Sequence, residues 1–571
     1  MRFIEAGDVR LALYEEGDPA KPTMLLVHGY PDTHRVWDEV AGLLAADFHI
    51  VRYDVRGAGR SSAPRDTRGY TLDRLVDDLA GVLDAIGKDT VHLAGHDWGS
   101  IQGWEAARRF PRRFASFTSL GGPGLHQWAD FMRNAGRREV AGQALRSWYM
   151  AAFQAPGVPE LAWRTVMPRA LARVMRLSEG IAPRDGHPAD TLVRDGTNGV
   201  NLYRANMFTA RDVVPEPYVE VPLQLIEAEK DVFVSARLLA SLHRWVPRMW
   251  HRTIPAGHWA QRGSPGTVAR MIGEFARHIE YGTEPSRELR RARVAGVRGP
   301  YDDRLVVVTG AGSGIGRATA RAFAAHGAEV VCADLDLDAA RRTAAEIERL
   351  YRTAHAHQVD VSRAEDMERF AQAVRDGHGV PDIVVNNAGI AVTGPFLDHE
   401  LGDWERTIGV NLWGVVHGCR LFGRQMVERG EGGHIVNVAS LAAFMPSRLL
   451  PAYSTSKAAV KMLSDCLRAE LAGKGVGVSV ICPGFVSTAI ASNATYRGGD
   501  RSLSESALQR RAYPPERVAA HILRAVHRDT AVVPVNAEGK IGYALSRLSP
   551  GLMRGLARIA ASDIGRLAGK D

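Results

Sequence analysis

Val91-His92-Leu93-Ala94-Gly95-His96-Asp97-Trp98-Gly99-Ser100 is an apolar run that ends in Gly-x-Asp-x-Gly and passes into a helical stretch. The pattern predicts a buried strand, a strained turn and a helix, with Asp97 presented at the turn. Glycines flank it because the tight turn needs a special backbone angle and leaves no room for side chains beside the reactive group. A carboxylate there gains nothing as an acyl acceptor, but it can attack an sp3 carbon and leave an alkyl ester on the protein. Water must then cleave that ester, so a base is expected downstream.

Two later pieces supply it. Ile226-Glu227-Ala228-Glu229-Lys230-Asp231 reads as a strand end with an acid, and Pro255-Ala256-Gly257-His258-Trp259 as a turn presenting a histidine. The order nucleophile, acid, histidine is that of α/β-hydrolases: Asp231 would fix the His258 tautomer and His258 would activate water. The oxyanion formed at the Asp97 carboxyl needs two backbone donors, and Trp98 and Tyr30, the latter in His28-Gly29-Tyr30-Pro31-Asp32, stand where they belong. Singly, Asp97 could be a turn aspartate and His258 a loop histidine; their joint order carries the reading.

With DVRGAGRSS at 54–62, AEKD at 228–231 and AGHW at 256–259, residues 1–280 resemble the epoxide hydrolases of the α/β-hydrolase superfamily. At about 125–217 the strand-helix rhythm gives way to helical, Trp- and Arg-rich sequence, a candidate cap over the site. The resemblance implies that two cap tyrosines, Tyr149 and Tyr203, hold the epoxide oxygen and donate a proton to it. Haloalkane dehalogenases share the Asp turn and the following Trp, but hold their halide with an Asn or a second Trp. The common Asn position is Tyr30 here, so an epoxide is the preferred substrate and a haloalkane the alternative.

A second strand-to-helix turn occurs at Leu305-Val306-Val307-Val308-Thr309-Gly310-Ala311-Gly312-Ser313-Gly314-Ile315-Gly316. Glycines there let the backbone approach a pyrophosphate at a helix N-terminus. Asp334, at the end of the next strand, can accept hydrogen bonds from ribose hydroxyls and would repel a 2′-phosphate, which favours NAD over NADP. Tyr453 and Lys457 lie four apart and hence on one helix face, where a cation beside a phenol lowers the phenol's pKa; Ser440 can hold the same substrate oxygen.

Residues 303–535 thus resemble the short-chain dehydrogenase/reductase family, with TGAGSGIG at 309–316, NNAG at 386–389 and YSTSK at 453–457. By that resemblance Thr309, Gly310, Ser313, Gly314, Ile315 and Gly316 form the nucleotide turn, and Asp360 and Val361 line the adenine pocket. Asn387, Ala388 and Gly389 flank the cofactor, with Pro483 and Gly484 nearby, Thr488 meets the nicotinamide amide, and Asn411 supports a proton relay through Lys457. The glycine spacing is that family's and departs from G-x-G-x-x-G.

The expected architecture is α/β throughout: a hydrolase fold at 1–284 with a helical cap, an Arg-rich linker at 285–302, a Rossmann-like dehydrogenase at 303–536, and a basic amphipathic tail at 537–571. Nine of eleven tryptophans precede residue 285, which suits two separate domains. Of the formal charge of +8, half comes from the stretch Ser286 to Pro300, with five arginines against Glu288, and no nucleic-acid motif accompanies them, so no nucleic-acid partner is expected. No apolar run approaches the roughly 20 residues that cross a bilayer, and Met1 to Tyr14 does not read as a signal peptide, so a cytoplasmic protein is expected. The tail is expected to be a terminal helix packed on its own domain or a partner, with contact to anionic lipid as the alternative. Cys332, Cys419, Cys466 and Cys482 form no CxxC pair; they read as buried free thiols, with no metal site. The expectation is a bifunctional enzyme on small or lipid-like epoxides and alcohols, paired through its second domain as short-chain dehydrogenases usually are. The alternatives are a carbonyl reductase on an unrelated substrate and a lipid-surface or scaffold protein with one silent domain.

Overall fold

The computed structural model describes the chain except residues 208–217, 295–298, 488–489, 491–493, 498–512, 550 and 552–571. It divides into two compact units, Met1–Gly296 and Val297–Asp571.

In the first unit eight strands form one sheet: β1 (Arg2–Ala6), β2 (Val9–Glu16), β3 (Thr23–Val27), β4 (His49–Tyr53), β5 (Val91–His96), β6 (Phe114–Leu120), β7 (Leu223–Ala228) and β8 (Met249–Ile254). Their order is β1-β2-β4-β3-β5-β6-β7-β8, with β1, β2 and β4 paired antiparallel and the rest parallel. The central strands β3, β5 and β7 are buried at every position, which is why they read as apolar runs without alternation. The cap enters between β6 and β7 as six helices from Leu125–Asn134 to Leu192–Asn206. Its Phe153, Trp163, Val200 and Leu202 form one buried cluster with Trp98, Ile101 and Tyr70 of the sheet side, so apolar burial holds it over the C-terminal ends of the strands.

The second unit contains seven parallel strands: β9 (Leu305–Thr309), β10 (Glu329–Asp334), β11 (Ala354–Gln358), β12 (Ile383–Asn386), β14 (Gly433–Val438), β15 (Val476–Cys482) and β17 (Val532–Pro534). β13 (Val392–Thr393) and β16 (Thr495–Tyr496) pair separately. The order β11-β10-β9-β12-β14-β15-β17 reverses direction between β9 and β12, the switch point at which such sheets open a ligand crevice.

The structure corrects two expectations, on the Arg-rich stretch and on Cys466. The Arg-rich stretch is not a bare connector: Ser286 caps a helix at Arg287–Ala292, and Leu289 and Ala292 bury against Trp250 and Phe275. Counting arginines hides that apolar anchor. Tyr301, assigned to the same linker, is buried on Phe323 and donates its hydroxyl to the Leu523 carbonyl at 2.6 Å. At the other end, Ala537–Leu548 is a helix whose Tyr543 ring meets Phe444 at 5.0 Å, while the tail arginines Arg554, Arg558 and Arg566 lie outside the described residues. Finally, Cys466 is exposed, on the helix Pro451–Leu471, whereas the other three cysteines are buried. Among the described residues no helix is long and apolar enough to cross a membrane.

Candidate active sites

At the end of β5, Asp97 takes φ +52° and ψ −120°, a backbone strained for any residue with a side chain. Its neighbours explain the glycines: a Cβ on Gly99 would stand 2.2 Å from the Val27 carbonyl oxygen, and one on Gly95 2.4 Å from that of Gly99. The helix Trp98–Arg109 starts directly behind. The Tyr30 backbone N–H donates to Asp97 Oδ1 at 2.8 Å, and the Trp98 N–H donates to the same carboxylate. The Tyr30 phenol is anchored elsewhere, donating to the Gly196 carbonyl (2.9 Å) and accepting from the Trp163 indole (2.5 Å). Burial pushes the Asp97 carboxyl up to about 6, against the pull of His258 and the two amides.

His258 Nε2 lies 3.7 Å from Asp97 Oδ2, and its Nδ1 is 2.8 Å from Asp231 Oδ2. Asp231 is fixed by two further amides, from Phe233 (2.7 Å) and Val234 (3.1 Å). Burial opposes charge on His258, but the Asp231 carboxylate, aided by Asp97 and Glu179, raises the imidazole to about 9. Within reach of the Asp97 charge, Tyr149 and Tyr203 come from different cap helices to within 5.7 Å of each other, ring to ring, and the Tyr203 ring stands 5.2 Å from Trp98. Burial pushes both phenols well above their ordinary range, with the Asp97 charge next for Tyr149 and Tyr149 itself, then Asp97, next for Tyr203, so both remain proton donors.

Two features escaped the sequence reading. Glu179, at the end of a cap helix, accepts from the backbone N–H groups of His258 (2.8 Å) and Trp259 (3.0 Å), tying the cap to the base. Nothing in its local sequence marks it. Asp32, quoted only as part of HGYPD, accepts from His187 (2.9 Å) and from the Trp259 indole (2.9 Å).

In the second unit, Gly310 has φ +65° and a Cβ on Gly316 would stand 2.0 Å from the Gly310 oxygen, so the turn packs against the first coil of the helix Gly314–Ala325. Ser313 precedes that helix as its cap position and Ile315 lies in its first turn. Asp334 accepts from the Gly312 N–H at 2.8 Å and from Asp336 at 3.1 Å. Thr309 Oγ1 receives the amides of Asn387 (3.1 Å) and Ala388 (3.2 Å), locking β9 to β12. Asp360 turns the chain through Ser362 (2.6 Å to its hydroxyl), and Val361 is buried where a Cβ on Gly414 would meet it at 2.8 Å. A Cβ on Gly389 would stand 3.3 Å from Asn411 Oδ1 and 3.4 Å from Lys457 Nζ, so these three groups share one corner. Asn411 sits in a π-helical turn, Gly409–Trp413, and bonds both backbone groups of Ile390, at 2.8 and 3.0 Å, and Ser456 at 3.1 Å; such turns recur at functional sites. The Pro483 carbonyl receives Ser440 Oγ at 3.5 Å, and the Gly484 N–H donates to Asn536 at 3.2 Å. Thr488 lies outside the described residues.

One electrostatic expectation is reversed. Burial raises the Tyr453 phenol, and the hydrogen bond with Ser440 pulls it only part of the way back. Lys457 Nζ is 5.7 Å from the Tyr453 ring centroid and donates to the Val438 carbonyl at 2.8 Å. Burial lowers Lys457 itself to about 8, so it stays mostly protonated near neutral pH and loses its charge as the pH rises through that value.

Comparison with known proteins agrees with this division. The alpha/beta hydrolase fold model matches residues 22–264 and the short chain dehydrogenase model residues 304–497. The probable oxidoreductase EphD of Mycobacterium tuberculosis is 44% identical over 584 residues, covering 98% of each chain. Among solved structures, the Bacillus megaterium epoxide hydrolase in complex with an inhibitor is 25% identical and covers 48% of this chain and 100% of its own, with a TM-score of 0.44. A short chain dehydrogenase/reductase from Burkholderia phymatum in complex with NAD is 30% identical over 45% of this chain and 96% of its own, with a TM-score of 0.41.

Proposed function

Since the chain belongs to the two-domain family of the mycobacterial oxidoreductase EphD, a hydrolase fold joined to a short-chain dehydrogenase, we propose that it opens an epoxide to a vicinal diol and oxidises a hydroxyl, that of the diol itself being the simplest candidate. The observation that carries the first step is a carboxylate gripped by two amides, with an imidazole on one side and two phenols on the other. Asp97 attacks the less hindered epoxide carbon, the C–O bond breaks, and a phenol of Tyr149 or Tyr203 gives its proton to the alkoxide. Esterification removes the Asp97 charge, one of the influences that hold His258 protonated. The imidazole then returns its proton to the phenolate left by ring opening and takes one from water, which adds to the ester carbonyl while the Tyr30 and Trp98 amides hold the oxyanion. Collapse breaks the ester C–O bond, the leaving oxygen takes the proton from His258 to free the diol, and the Asp97 acid so formed gives its own proton to His258.

In the second domain the Gly310–Gly316 turn leaves backbone free to approach a phosphate, and Asp334 stands at the neighbouring strand end, a set that fits a nicotinamide dinucleotide, NAD in preference to NADP. When bound, that group supplies the hydride acceptor. Tyr453 takes the alcohol proton, Ser440 orients the oxygen, and Lys457 with Asn411 provides the route by which the proton leaves. Turnover of a simple aryl epoxide with and without NAD tests the whole reading: diol alone without NAD and hydroxyketone with it is the expected result. Diol that NAD leaves untouched would separate the two substrates, and halide release from a haloalkane in place of diol formation would overturn the first step.

A further inference from the structure

Among the described residues, one set of metal-ligating side chains stands apart from both sites. We propose that Glu329, His355 and His378 of the second domain bind a divalent transition-metal ion of the zinc class. Glu329 opens β10, His355 lies on the edge strand β11, and His378 ends the helix Ala364–His378. Glu329 Oε1 is 3.0 Å from His355 Nε2 and 3.8 Å from His378 Nδ1, and the three ligand atoms all lie within 4.8 Å of one another. Tetrahedral zinc with ligands at about 2.0–2.1 Å sets them roughly 3.3 Å apart, and the two measured separations bracket that value.

The position of these residues is what makes the cluster informative. In register, His355 stands beside Val331 and His357 beside Ala333, and Val331 and Ala333 belong to the apolar face that packs on Phe370 and Val374 of the same helix. Imidazoles therefore occupy two half-buried strand positions where this face is otherwise apolar, and His355 is already held by the Glu329 carboxylate at 3.0 Å. The rings of His355 and His378 meet at 4.0 Å with 25° between their planes, so metal capture requires the two rings to turn until both nitrogen lone pairs point at one ion beside the Glu329 carboxylate. Two nitrogens and one carboxylate oxygen suit zinc, cobalt(II) or nickel(II) and not magnesium or calcium, which prefer all-oxygen shells.

The cluster is at the start of β10, five residues and about 16 Å of strand before Asp334. The ion would thus clip an edge strand to a helix and take no part in hydride transfer. The experiment uses the full chain stripped with chelator and dialysed against zinc, with cobalt(II) as a coloured probe. The parent is expected to retain one more metal per chain than His355→Val, Glu329→Gln or His378→Ala, and to gain a zinc-dependent rise in Tm that these variants lack. His355→Val keeps the falsification clear of misfolding, because a β-branched residue suits that strand face. Equal zinc content in parent and variants, or the same zinc-dependent rise in His355→Val, would overturn the proposal.

Discussion

Replacing Asp231 by Asn isolates the hydrolytic half of the epoxide reaction. Asp231 Oδ2 is 2.8 Å from His258 Nδ1, and Oδ1 already holds the Phe233 and Val234 amides. An Asn in this place keeps those amides on its carbonyl oxygen, so its NH2 must face the imidazole. Nδ1 then becomes an acceptor and Nε2, toward the ester, carries the hydrogen: the tautomer that cannot accept a proton from water. The carboxylate that holds His258 near 9 is lost as well, leaving burial to favour the neutral ring. A wrong tautomer in an otherwise intact acid–histidine pair costs about 10³–10⁴ in rate, or roughly 4–5 kcal/mol of barrier. Alkylation needs only Asp97 and the two phenols, so it should continue. The expected outcome is one equivalent of epoxide consumed in a rapid phase, a protein heavier by the mass of the epoxide, and steady turnover reduced about a thousandfold or more. Mixing with an aryl epoxide, followed by intact mass spectrometry and peptide mapping to Asp97, reads all three. Full turnover with no adduct would refute the ester mechanism and the role given to His258.

Other outcomes follow from the same geometry. Tyr203→Phe should slow ring opening by about 10²–10³, the usual cost of losing one donor to a developing oxyanion, and adding Tyr149→Phe should remove most of what remains; an unimpaired double variant would contradict the cap assignment. Because Asp97 must be ionised to attack, the single-turnover alkylation rate should fall about tenfold per pH unit below about 6, and a limb nearer 4 would show a more solvated carboxylate. Glu105, buried among Arg108, Arg109 and His126, is held down to about 2 by their hydrogen bonds against burial. Its folded value lies below its ordinary 4.5, so its contribution, on the order of 3 kcal/mol, is present above pH 4.5 and lost as the pH falls toward 2; acid unfolding of Glu105→Gln should lack that part of the slope. Fluorescence titration should show tighter NADH than NADPH binding by the parent, a preference narrowed by Asp334→Ser. Arg317, an alternative partner for a 2′-phosphate, is already paired with Glu346.

What the sequence made legible is local. The Asp97 turn needs only a buried strand, two glycines within four residues and the helix behind them, all written in one decapeptide. The Gly310–Gly316 turn and the Tyr453–Lys457 spacing are equally self-contained, and both sheets follow from apolar runs that are buried on two faces. The unread parts depend on partners far along the chain. Glu179 reaches the His258 amide across 79 positions, and no pattern near residue 179 predicts that contact. Leu289 turns an Arg-rich stretch into a packed helix because Trp250 and Phe275 wait for it. Tyr453 and Lys457 show the division most sharply: their spacing is visible in five letters, but their protonation is set by how deeply the rest of the domain buries them. A motif therefore identifies which atoms meet, while the electrostatics that decide when each can give or take a proton belong to the fold. By that reasoning positive charge brought beside Tyr453 makes it a more competent base, and an oxidised nicotinamide bound in this domain would supply such a charge. Loading the parent with NAD should then lower the pH at which the phenol ionises, an ultraviolet difference signal that Tyr453→Phe removes; a phenol that titrates at the same pH with and without NAD would refute it.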